Sequence, residues 1–567
     1  MKRIFNFCLA IILCLGVFPF TACSQKEEVL ELNVYNWEDY ICKDENADLI
    51  AEFEEFASEK YGKKVVVNYS TFGTNENMYN ELQLSKVKKS DGSYDYGYDL
   101  VCPSDYMIQK MLKEDMLEPL KKDIPEGENG SLFNYFEYSS KYILDLFDNN
   151  GWTDYACGYM YGTMGFVYNP EALAENSGGE YQEGDEAHWD FPWKTYSKNL
   201  GTIKDSIRDT YCLAMGKVYA EELTALAIEW KAGNLTDKEY SKKVEEIFNR
   251  VDKETVRKVT SELIELKANV YGFEVDSGKR DMASGKIAIN FAWSGDAVYT
   301  LDIADEAGTE LYYAVPEEGS NIWFDGWVMP KGANVELSQE FINFLADPEN
   351  AVKNMNFIGY TPVVSGETMH ENCIEWYGVY TLIETDDVEN ADFIDEDTGK
   401  AYFEYYFQDA VDEGLIELNA DNVYDIKYPV YDDDEEFIIG FEEETEVQLY
   451  EYDVSFLLNT RENQDEMLVW TDTLGRQLET QYPTRETVLR CAIMKDFDES
   501  QMKLLNDMWD EVKVSAIPNW LMIMIVVIIV LLIVFVPLFS YLNKKGVRLN
   551  ISFKRKDLKL VKREIIK

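Results

Sequence analysis

Four segments in the first two-thirds of the chain place an aromatic residue beside a carboxylate. They are Tyr35–Tyr40, Pro103–Tyr106, Trp293–Asp296 and Trp323–Asp325. The face of a Trp or Tyr ring attracts a cation through its quadrupole, and a carboxylate attracts it through its full charge. If the four segments converge on one cleft, they form a receptor for a small, elongated organic cation. The alternative is that such pairs are incidental, because 14% of the residues are aromatic and acids are abundant.

The elements predicted around the first two segments place both at one edge of a sheet. Periodicity predicts strands and helices in alternation, which favours α/β units with a parallel sheet. The strands are predicted at 29–36, 65–67 and 98–102, and the helices at 47–61, 75–84 and 107–116. Both segments follow a predicted strand directly, and open α/β sheets bind ligands outside the carboxyl ends of their strands.

The later part of the chain continues this mixed pattern and then becomes acidic. Residues 220–266 have the pattern of a charged surface helix pair, and the run 287–291 predicts a strand that leads to Trp293. Over 371–480 we predict a strand-rich insertion with many acids and tyrosines. The acidic run 432–436 could be read as a calcium site, but the ligand spacing of an EF-hand is absent, which favours a solvated acidic face.

Length and charge narrow the class of protein. At 567 residues the chain exceeds a single hydrophobic core, so two or more domains are expected. The formal net charge of −53 argues against nucleic acid as a partner, because phosphate binding needs a basic surface. A strongly acidic protein stays soluble by self-repulsion and attracts cations over a long range.

Histidine and cysteine give little support to metal or nucleophilic chemistry. Only His188 and His370 occur, far apart in the sequence, so a His-based zinc site and Ser-His-Asp catalysis are poorly supported. The cysteines beyond residue 23 have no metal-binding spacing, and their pairing stays open. They are Cys42, Cys102, Cys157, Cys212, Cys373 and Cys491. We expect no metal and no cofactor.

The first residues have the pattern of an export signal. Lys2 and Arg3 precede the apolar run 4–20, and small residues lead to Cys23. The segment is similar to a bacterial lipoprotein signal, which predicts a signal peptide over 1–22 and lipidation of Cys23. Phe20 departs from that signal, which usually has leucine at this place.

The last residues have the pattern of a membrane anchor. The stretch 520–542 is uncharged, apolar and long enough to span a bilayer, with Trp520 and Tyr541 at its edges. The tail 543–567 is rich in Lys and Arg, which places it in the cytoplasm by the positive-inside rule. The sequence therefore predicts a C-terminal transmembrane helix, a membrane-anchored protein and an extracytoplasmic location for the residues that precede the span.

Seven segments together resemble those of the spermidine/putrescine-binding proteins of polyamine ABC transporters. Each segment is weak evidence alone, but they occur in the order of the family between residues 29 and 362, and the resemblance resumes over 482–513. The segments are Tyr35–Tyr40, Thr74–Tyr79, Tyr98–Tyr106, Ser206–Asp209, Trp293–Asp296, Trp323–Asp325 and Ile358–Pro362.

The resemblance implies a two-lobed, periplasmic-binding-protein-like (class II) α/β fold whose lobes close about a hinge. Lobe 1 would take 29–152 and 324–364, and lobe 2 would take 153–323 and 365–515, including the insertion 371–480. The implied function is that of the extracellular solute-binding subunit of an ABC importer. Such a subunit is not an enzyme, and it captures a polyamine and delivers it to the permease in the membrane.

The resemblance also implies which side chains contact the polyamine. Rings would stack along the methylene chain, and carboxylates would accept from the ammonium groups. The implied ligand-binding residues are Trp37, Asp39, Tyr40, Ser104, Tyr106, Asp209, Trp293, Trp323, Asp325 and Tyr360. Ser206 stands where the family commonly has a second carboxylate, and Met494 where some members have glutamine. Both departures leave the preferred polyamine open.

Three other functions remain open from the sequence. A receptor for a sugar also uses Trp stacking and Asp hydrogen bonds, but it needs amide and Arg donors to neutral hydroxyls. A surface glycoside hydrolase needs two carboxylates at a fixed separation, one of them with a raised pKa. A purely structural surface protein would need neither ligand-binding side chains nor a catalytic pair of carboxylates. A cation site, in contrast, needs carboxylates without cationic partners.

Overall fold

The computed structural model describes residues 29–44, 47–395, 398–432 and 437–515. Its strands, numbered in chain order, are β1 Leu30–Trp37, β2 Val65–Phe72, β3 Val87–Lys88, β4 Tyr94–Asp95, β5 Leu100–Val101, β6 Ala156–Tyr168, β7 Gly201–Lys204, β8 Gly272–Glu274, β9 Ile289–Trp293, β10 Tyr312–Ala314, β11 Ser320–Val328, β12 Thr361–Pro362, β13 Tyr380–Thr385, β14 Phe393–Ile394, β15 Ala401–Tyr406, β16 Val423–Tyr431, β17 Ile438–Gln448, β18 Tyr450–Asp453, β19 Leu468–Thr471 and β20 Cys491–Ala492.

The helices are α1 Leu49–Tyr61, α2 Asn75–Ser85, α3 Asp105–Lys113, α4 Phe133–Tyr138, α5 Lys141–Asn150, α6 Pro170–Asn176, α7 Ile207–Val218, α8 Ala220–Lys231, α9 Asp237–Phe248, α10 Lys253–Asn269, α11 Ser277–Ala283, α12 Ser294–Glu306, α13 Val335–Leu345, α14 Pro348–Ile358, α15 Glu367–Tyr377, α16 Phe407–Asp412, α17 Ser455–Leu458, α18 Gln477–Gln481, α19 Arg485–Leu489 and α20 Glu499–Val514. Short 3-10 turns lie at Asp185–Ala187, Phe191–Trp193 and Thr195–Ser197. The chain divides into two compact units, 1–506 and 507–567, and every strand described belongs to the first.

One large sheet organises the first unit into two sections. Its strand order is β2-β1-β5-β11-β6-β9-β7-β8, with β10, β12 and β20 paired off this path. Strand β1 runs parallel to β2 and β5 in one section, and β7 runs parallel to β8 and β9 in the other. The parallel α/β pattern predicted from the sequence is therefore confirmed in both sections. These sections are the cores of the two lobes.

Two long strands, β6 and β11, connect the sections. They pair with each other in antiparallel register. The last residues of β6 pair with β9 of the second section, while Val328 at the end of β11 pairs with β5 of the first. Both strands are buried along almost their whole length, because each lies inside the sheet with protein on both faces. Strands β6 and β11 thus carry the chain between the lobes inside the sheet. A hinge between the lobes would bend at these two strands.

Local signals explain why the helices at the sheet edge begin and end where they do. Asp48 caps α1 by accepting from the backbone N–H groups of Ile50 and Ala51, and Gly62 ends it in the left-handed conformation at φ 62°. The hydroxyl of Ser206 likewise accepts from the backbone N–H of Asp209 at the start of α7. The sequence predicts two helices over 220–266, but the structure has three, α8, α9 and α10. A turn that ends in a Thr236–Glu239 capping box separates α8 from α9.

The acidic region forms small sheets with a core of their own. The three-stranded sheet β13-β15-β14 and the two-stranded sheets β16-β17 and β18-β19 confirm its strand-rich character. Its buried side chains include Val379, Phe407, Ile426 and Trp470. Within the described ranges no group of three or more His, Cys, Asp or Glu side chains could hold a metal ion. The six cysteines beyond residue 23 are buried and free.

The predicted fold class needs one correction. The two-lobed α/β part stands, but the helices of the described residues include none long and apolar enough to cross a membrane. The predicted fold class is corrected in this respect: the structure supports the two lobes and does not support the added C-terminal transmembrane helix. The stretch 520–542, the tail 543–567, the signal peptide 1–22 and Cys23 all lie outside the described residues.

Candidate ligand-binding site

Asp325 provides a buried carboxylate with an unused oxygen. It lies on β11, is 6% exposed, and accepts a hydrogen bond of 2.9 Å from the Tyr40 hydroxyl at its Oδ2 atom. Its other oxygen, Oδ1, is buried and has no hydrogen-bond partner among the described residues. Burial raises the pKa of Asp325 to about 6, and the Ser104 and Tyr40 hydroxyls hold the pKa down in part. The geometry thus leaves a strong acceptor unsatisfied inside the protein.

Aromatic rings surround this carboxylate. The Tyr40 ring meets the Tyr159 and Tyr360 rings edge to face, with centroid separations of 5.5 and 5.1 Å. The Tyr360 ring also contacts Trp323, at 5.7 Å between centroids. Trp323 and Asp325 are two residues apart on one strand, so they project from the same face of the sheet. The arrangement combines a negative charge with ring faces, as a site for an organic cation requires.

A second group of acids lies in the other lobe, but it already holds cations. Asp296, in the first turn of α12, accepts from the ammonium groups of Lys204 at 3.1 Å and Lys279 at 3.2 Å. Lys204 is 1% exposed and its ammonium lies 4.3 Å from the centroid of the Trp293 ring. Burial alone would raise the pKa of Asp296, but the two lysines hold it below its usual range. The carboxylate of Asp296 is therefore already paired with cations of the protein.

Two contacts join the lobes across the site. The Tyr360 hydroxyl donates a hydrogen bond of 2.9 Å to Oδ1 of Asp296. The Arg208 guanidinium, on α7, lies 4.5 Å from the centroid of the Tyr106 ring on α3. These contacts connect Tyr106 and Tyr360 with side chains of α7 and α12.

Asp209 is the predicted ligand-binding carboxylate of the second lobe. It lies in the first turn of α7, beside Lys204 and Arg208. Burial raises the pKa of Asp209, and Ser206, the two cations and the Trp293 side chain counter the rise in part. Ser206, which departs from the family by not being acidic, has a structural task here as the helix cap.

The structure places eight of the ten predicted ligand-binding residues in three groups and the other two, Trp37 and Asp39, apart from them. Tyr40, Ser104, Trp323, Asp325 and Tyr360 come together, while Trp293 and Asp209 lie near Lys204 and Tyr106 lies under Arg208. Trp37 packs against Phe72 with 4.6 Å between ring centroids. Asp39 is exposed in a turn at φ 49°. In the described part of the chain neither Trp37 nor Asp39 hydrogen-bonds to the other eight.

Sequence reasoning missed the cations of the site. Lys204 is the last residue of β7, at the same carboxyl edge as the predicted residues, and Arg208 stands directly before Asp209. Their strand-end and helix-start positions were the available signal, since ligands bind at that edge. A search for acids beside aromatic residues passed over both of them.

Comparison with known proteins identifies the family. Residues 48–372, more than half of the chain, match the model of the bacterial extracellular solute-binding proteins. The chain belongs to this family. It is therefore related to binding proteins that work outside the cytoplasm, and not to a family of enzymes.

Individual relatives are similar over most of their own length. The chain is 28% identical over 330 residues to the spermidine/putrescine-binding periplasmic protein of Salmonella typhimurium, covering 58% of this chain and 76% of that protein. It is 28% identical over 351 residues to the putrescine-binding periplasmic protein PotF of Escherichia coli, covering 59% and 80%. A structure from Listeria monocytogenes, described as a spermidine/putrescine ABC transporter, superimposes with a TM-score of 0.50 at 20% identity over 85% of this chain and 98% of that chain, which supports the fold.

Proposed function

We propose that this protein is the extracytoplasmic solute-binding subunit of an ABC importer and that its ligand is a polyamine. One observation carries the proposal: Oδ1 of Asp325 is buried without a hydrogen-bond partner and no cationic side chain of the described residues pairs with that carboxylate. A buried acceptor of this kind needs a donor. A ligand ammonium supplies both the donor and the opposite charge.

The rings beside Asp325 support an alkyl cation over a neutral sugar. Tyr40, Trp323 and Tyr360 offer apolar surface to a methylene chain, and burial of such surface is favourable by about 25 cal/mol per Å². A sugar would leave the carboxylate charge uncompensated in a buried place, which is costly. A polyamine alternates charged and apolar groups, as this arrangement does.

In this proposal the ten residues named from the resemblance contact the ligand in different ways. Asp325 accepts from one ammonium, and the Tyr40, Trp323 and Tyr360 rings enclose the neighbouring methylene groups. Trp37, Asp39, Ser104, Tyr106, Asp209 and Trp293 complete the contacts when the ligand is bound. The lobes comprise 29–152 with 324–364 and 153–323 with 365–515, and they close on the ligand.

The proposal includes an export route and a membrane partner. The relatives described above are periplasmic proteins. We propose that 1–22 direct export and that Cys23 carries a lipid, which keeps the protein beside the permease subunits that it serves. The closed form, with both lobes on the ligand, is the form that the permease recognises.

Calorimetric titration with putrescine, spermidine and spermine tests the proposal. We expect the purified wild-type protein to bind at least one of them, and the substitution Asp325→Asn to weaken that binding about tenfold to hundredfold, because a charge-assisted hydrogen bond contributes roughly 1.5–3 kcal/mol. Glu417→Gln is the matched control, since Glu417 is an exposed acid of the insertion. It should bind as the wild type does.

Two results would exclude the proposal. One is the absence of heat with every polyamine. The other is equal affinity of the wild type and Asp325→Asn, because then the unsatisfied carboxylate does not hold the ligand.

A further inference from the structure

A lysine of the protein itself occupies a cation position in the second lobe. The Lys204 ammonium lies over the Trp293 ring and contacts Oδ2 of Asp296 at 3.1 Å. It also lies 3.4 Å from Oε1 of Glu274 and donates to the carbonyl of Val275 at 2.9 Å. A ring face with two carboxylates is the environment that would suit an ammonium group of a ligand.

The ammonium of Lys204 is held by hydrogen bonds and by charge. It donates to the Val275 carbonyl and to Oδ2 of Asp296, and it forms an ion pair with Oε1 of Glu274 at 3.4 Å. Burial alone would lower the pKa of Lys204, but the neighbouring carboxylates raise it above its ordinary value. Since Lys204 is 1% exposed on a strand inside the sheet, its ammonium is held in place by packing as well as by charge.

Every oxygen of the two carboxylates already accepts a hydrogen bond from the protein. Oδ1 of Asp296 accepts from Lys279 and from the Tyr360 hydroxyl, and its Oδ2 accepts from Lys204. Both oxygens of Glu274 accept as well, one from the side chain of Asn290 and the other from the backbone of Gly278. Two lysines thus balance two acids, whereas Asp325 in the first lobe has no cation. A ligand ammonium beside Lys204 would meet like charge in a buried place.

We propose that Lys204 determines specificity by standing in for one ammonium of the ligand, so that the site takes short alkyl diamines in preference to triamines and tetramines. The inference rests on the proposed function, because it assigns the length of the same class of ligand. One end of the diamine lies at Asp325, and the diamine contacts Trp293 only outside the ring face that Lys204 covers. A triamine needs that face for its additional charge.

A series of ligands on the wild-type protein gives the first test. Affinities for diamines of three to six carbons, spermidine and spermine are measured by calorimetry in one buffer. We expect the best short diamine to bind at least about tenfold more tightly than spermidine. Equal or tighter binding of spermidine overturns the inference, and this result needs no variant to fold.

Two lysine substitutions give the second test. Lys204→Met removes the charge but keeps the length of the side chain, and it should reduce the preference for the diamine over spermidine about tenfold. Lys279→Met is the matched control, because Lys279 contacts the same carboxylate and is not over Trp293. It should leave the preference unchanged. Lys204→Arg keeps the charge and should retain the preference.

The outcomes separate this inference from the proposed function. If the wild type binds a diamine and Lys204→Met leaves the ratio of affinities unchanged, the inference fails and the polyamine proposal stands. If neither the wild type nor Lys204→Met binds any polyamine, the proposed function fails and the inference fails with it. If Lys204→Met does not fold, the ligand series on the wild type decides.

Discussion

Asp325 and Asp296 show how two buried aspartates of one site come to differ. Each accepts from a tyrosine hydroxyl, and both are almost fully buried. Asp296 has two lysines as neighbours, which hold its pKa below the usual range, whereas burial raises the pKa of Asp325 to about 6. The difference comes from nearby charge and not from burial, so only Asp325 can gain much from a cationic ligand.

The raised pKa of Asp325 predicts that polyamine affinity falls in mild acid. The ligand needs the ionised carboxylate, and a bound ammonium lowers the pKa of that group. With a pKa of about 6 in the free protein, roughly a tenth of Asp325 is ionised at pH 5, so we expect about tenfold weaker binding there than at pH 7.5. Calorimetry at several pH values measures this change, and at pH 5 binding should release protons.

The variant Asp325→Asn provides the control for this pH dependence. Its binding is weaker throughout and should vary much less between pH 7.5 and 5. Burial raises the pKa of neighbouring Asp105 well above its usual range, and Asp105 is unchanged in this variant, so the comparison isolates the contribution of Asp325. A wild-type affinity that is constant from pH 7.5 to 5 would contradict the assignment.

At the residue scale the sequence predicts the acceptors better than their counterions. Tyr40, Trp323 and Asp325 stand out because motif and chemistry agree, and the structure brings these three residues together. Lys204 does not stand out, because a lysine at a strand end is usually solvated. Its burial depends on Glu274 and Asp296, which lie far along the chain and reach it only through the sheet.

Among the elements, α12 begins so close to Tyr360 that only glycine fits at residue 295. A Cβ atom on Gly295 would lie 2.3–2.4 Å from atoms of the Tyr360 ring. The glycine therefore permits the contact between the lobes, in which the Tyr360 hydroxyl donates to Asp296. This close approach explains why residue 295 is glycine, since no special backbone conformation requires glycine there.

We expect the substitution Gly295→Ala to displace the Tyr360 ring and weaken polyamine binding about tenfold, with a loss of roughly 1–3 kcal/mol in the free energy of unfolding. Calorimetry measures the affinity, and denaturant unfolding measures the stability. Gly73→Ala is the control, because a Cβ at Gly73 would have no atom within 4 Å. Unchanged ligand affinity in Gly295→Ala would show that the position of Tyr360 does not matter for binding.

The elements differ in how well the sequence predicts them. Helix α1 is confirmed because an Asp48 cap, apolar periodicity and Gly62 all agree. The sequence predicts a strand near β11, at 323–329, but none at β6, because burial on both faces removes the alternation that marks a strand. Their role depends on which partners they have at each end, and pairing between distant strands is not a local property of the sequence.

On the scale of the whole molecule, the net charge of −53 favours the cationic ligand that we propose. The family resemblance predicted the two-lobed fold, and the parallel sections follow from the alternation of strands and helices. The field of so many acids attracts cations to the surface before they reach the site. Such attraction raises the association rate and has little effect on contacts already formed in a closed cleft.

The acidic field predicts a salt dependence of the association rate. Raising the ionic strength from 0.01 to 0.15 M shortens the screening length from about 30 to about 8 Å. We expect the rate constant for association of a diamine to fall several-fold, about threefold to tenfold, while the dissociation rate changes by less than about twofold. Stopped-flow fluorescence of the site tryptophans measures both rate constants.

The variant Asp325→Asn separates the field from the contact in this experiment. It removes one charge out of many, so the slope of the association rate against ionic strength should stay close to that of the wild type. Its loss of affinity should come from faster dissociation, because the buried hydrogen bond is missing in the complex. If the wild-type association rate is the same at both ionic strengths, the acidic surface does not guide the ligand, and its charge needs another explanation.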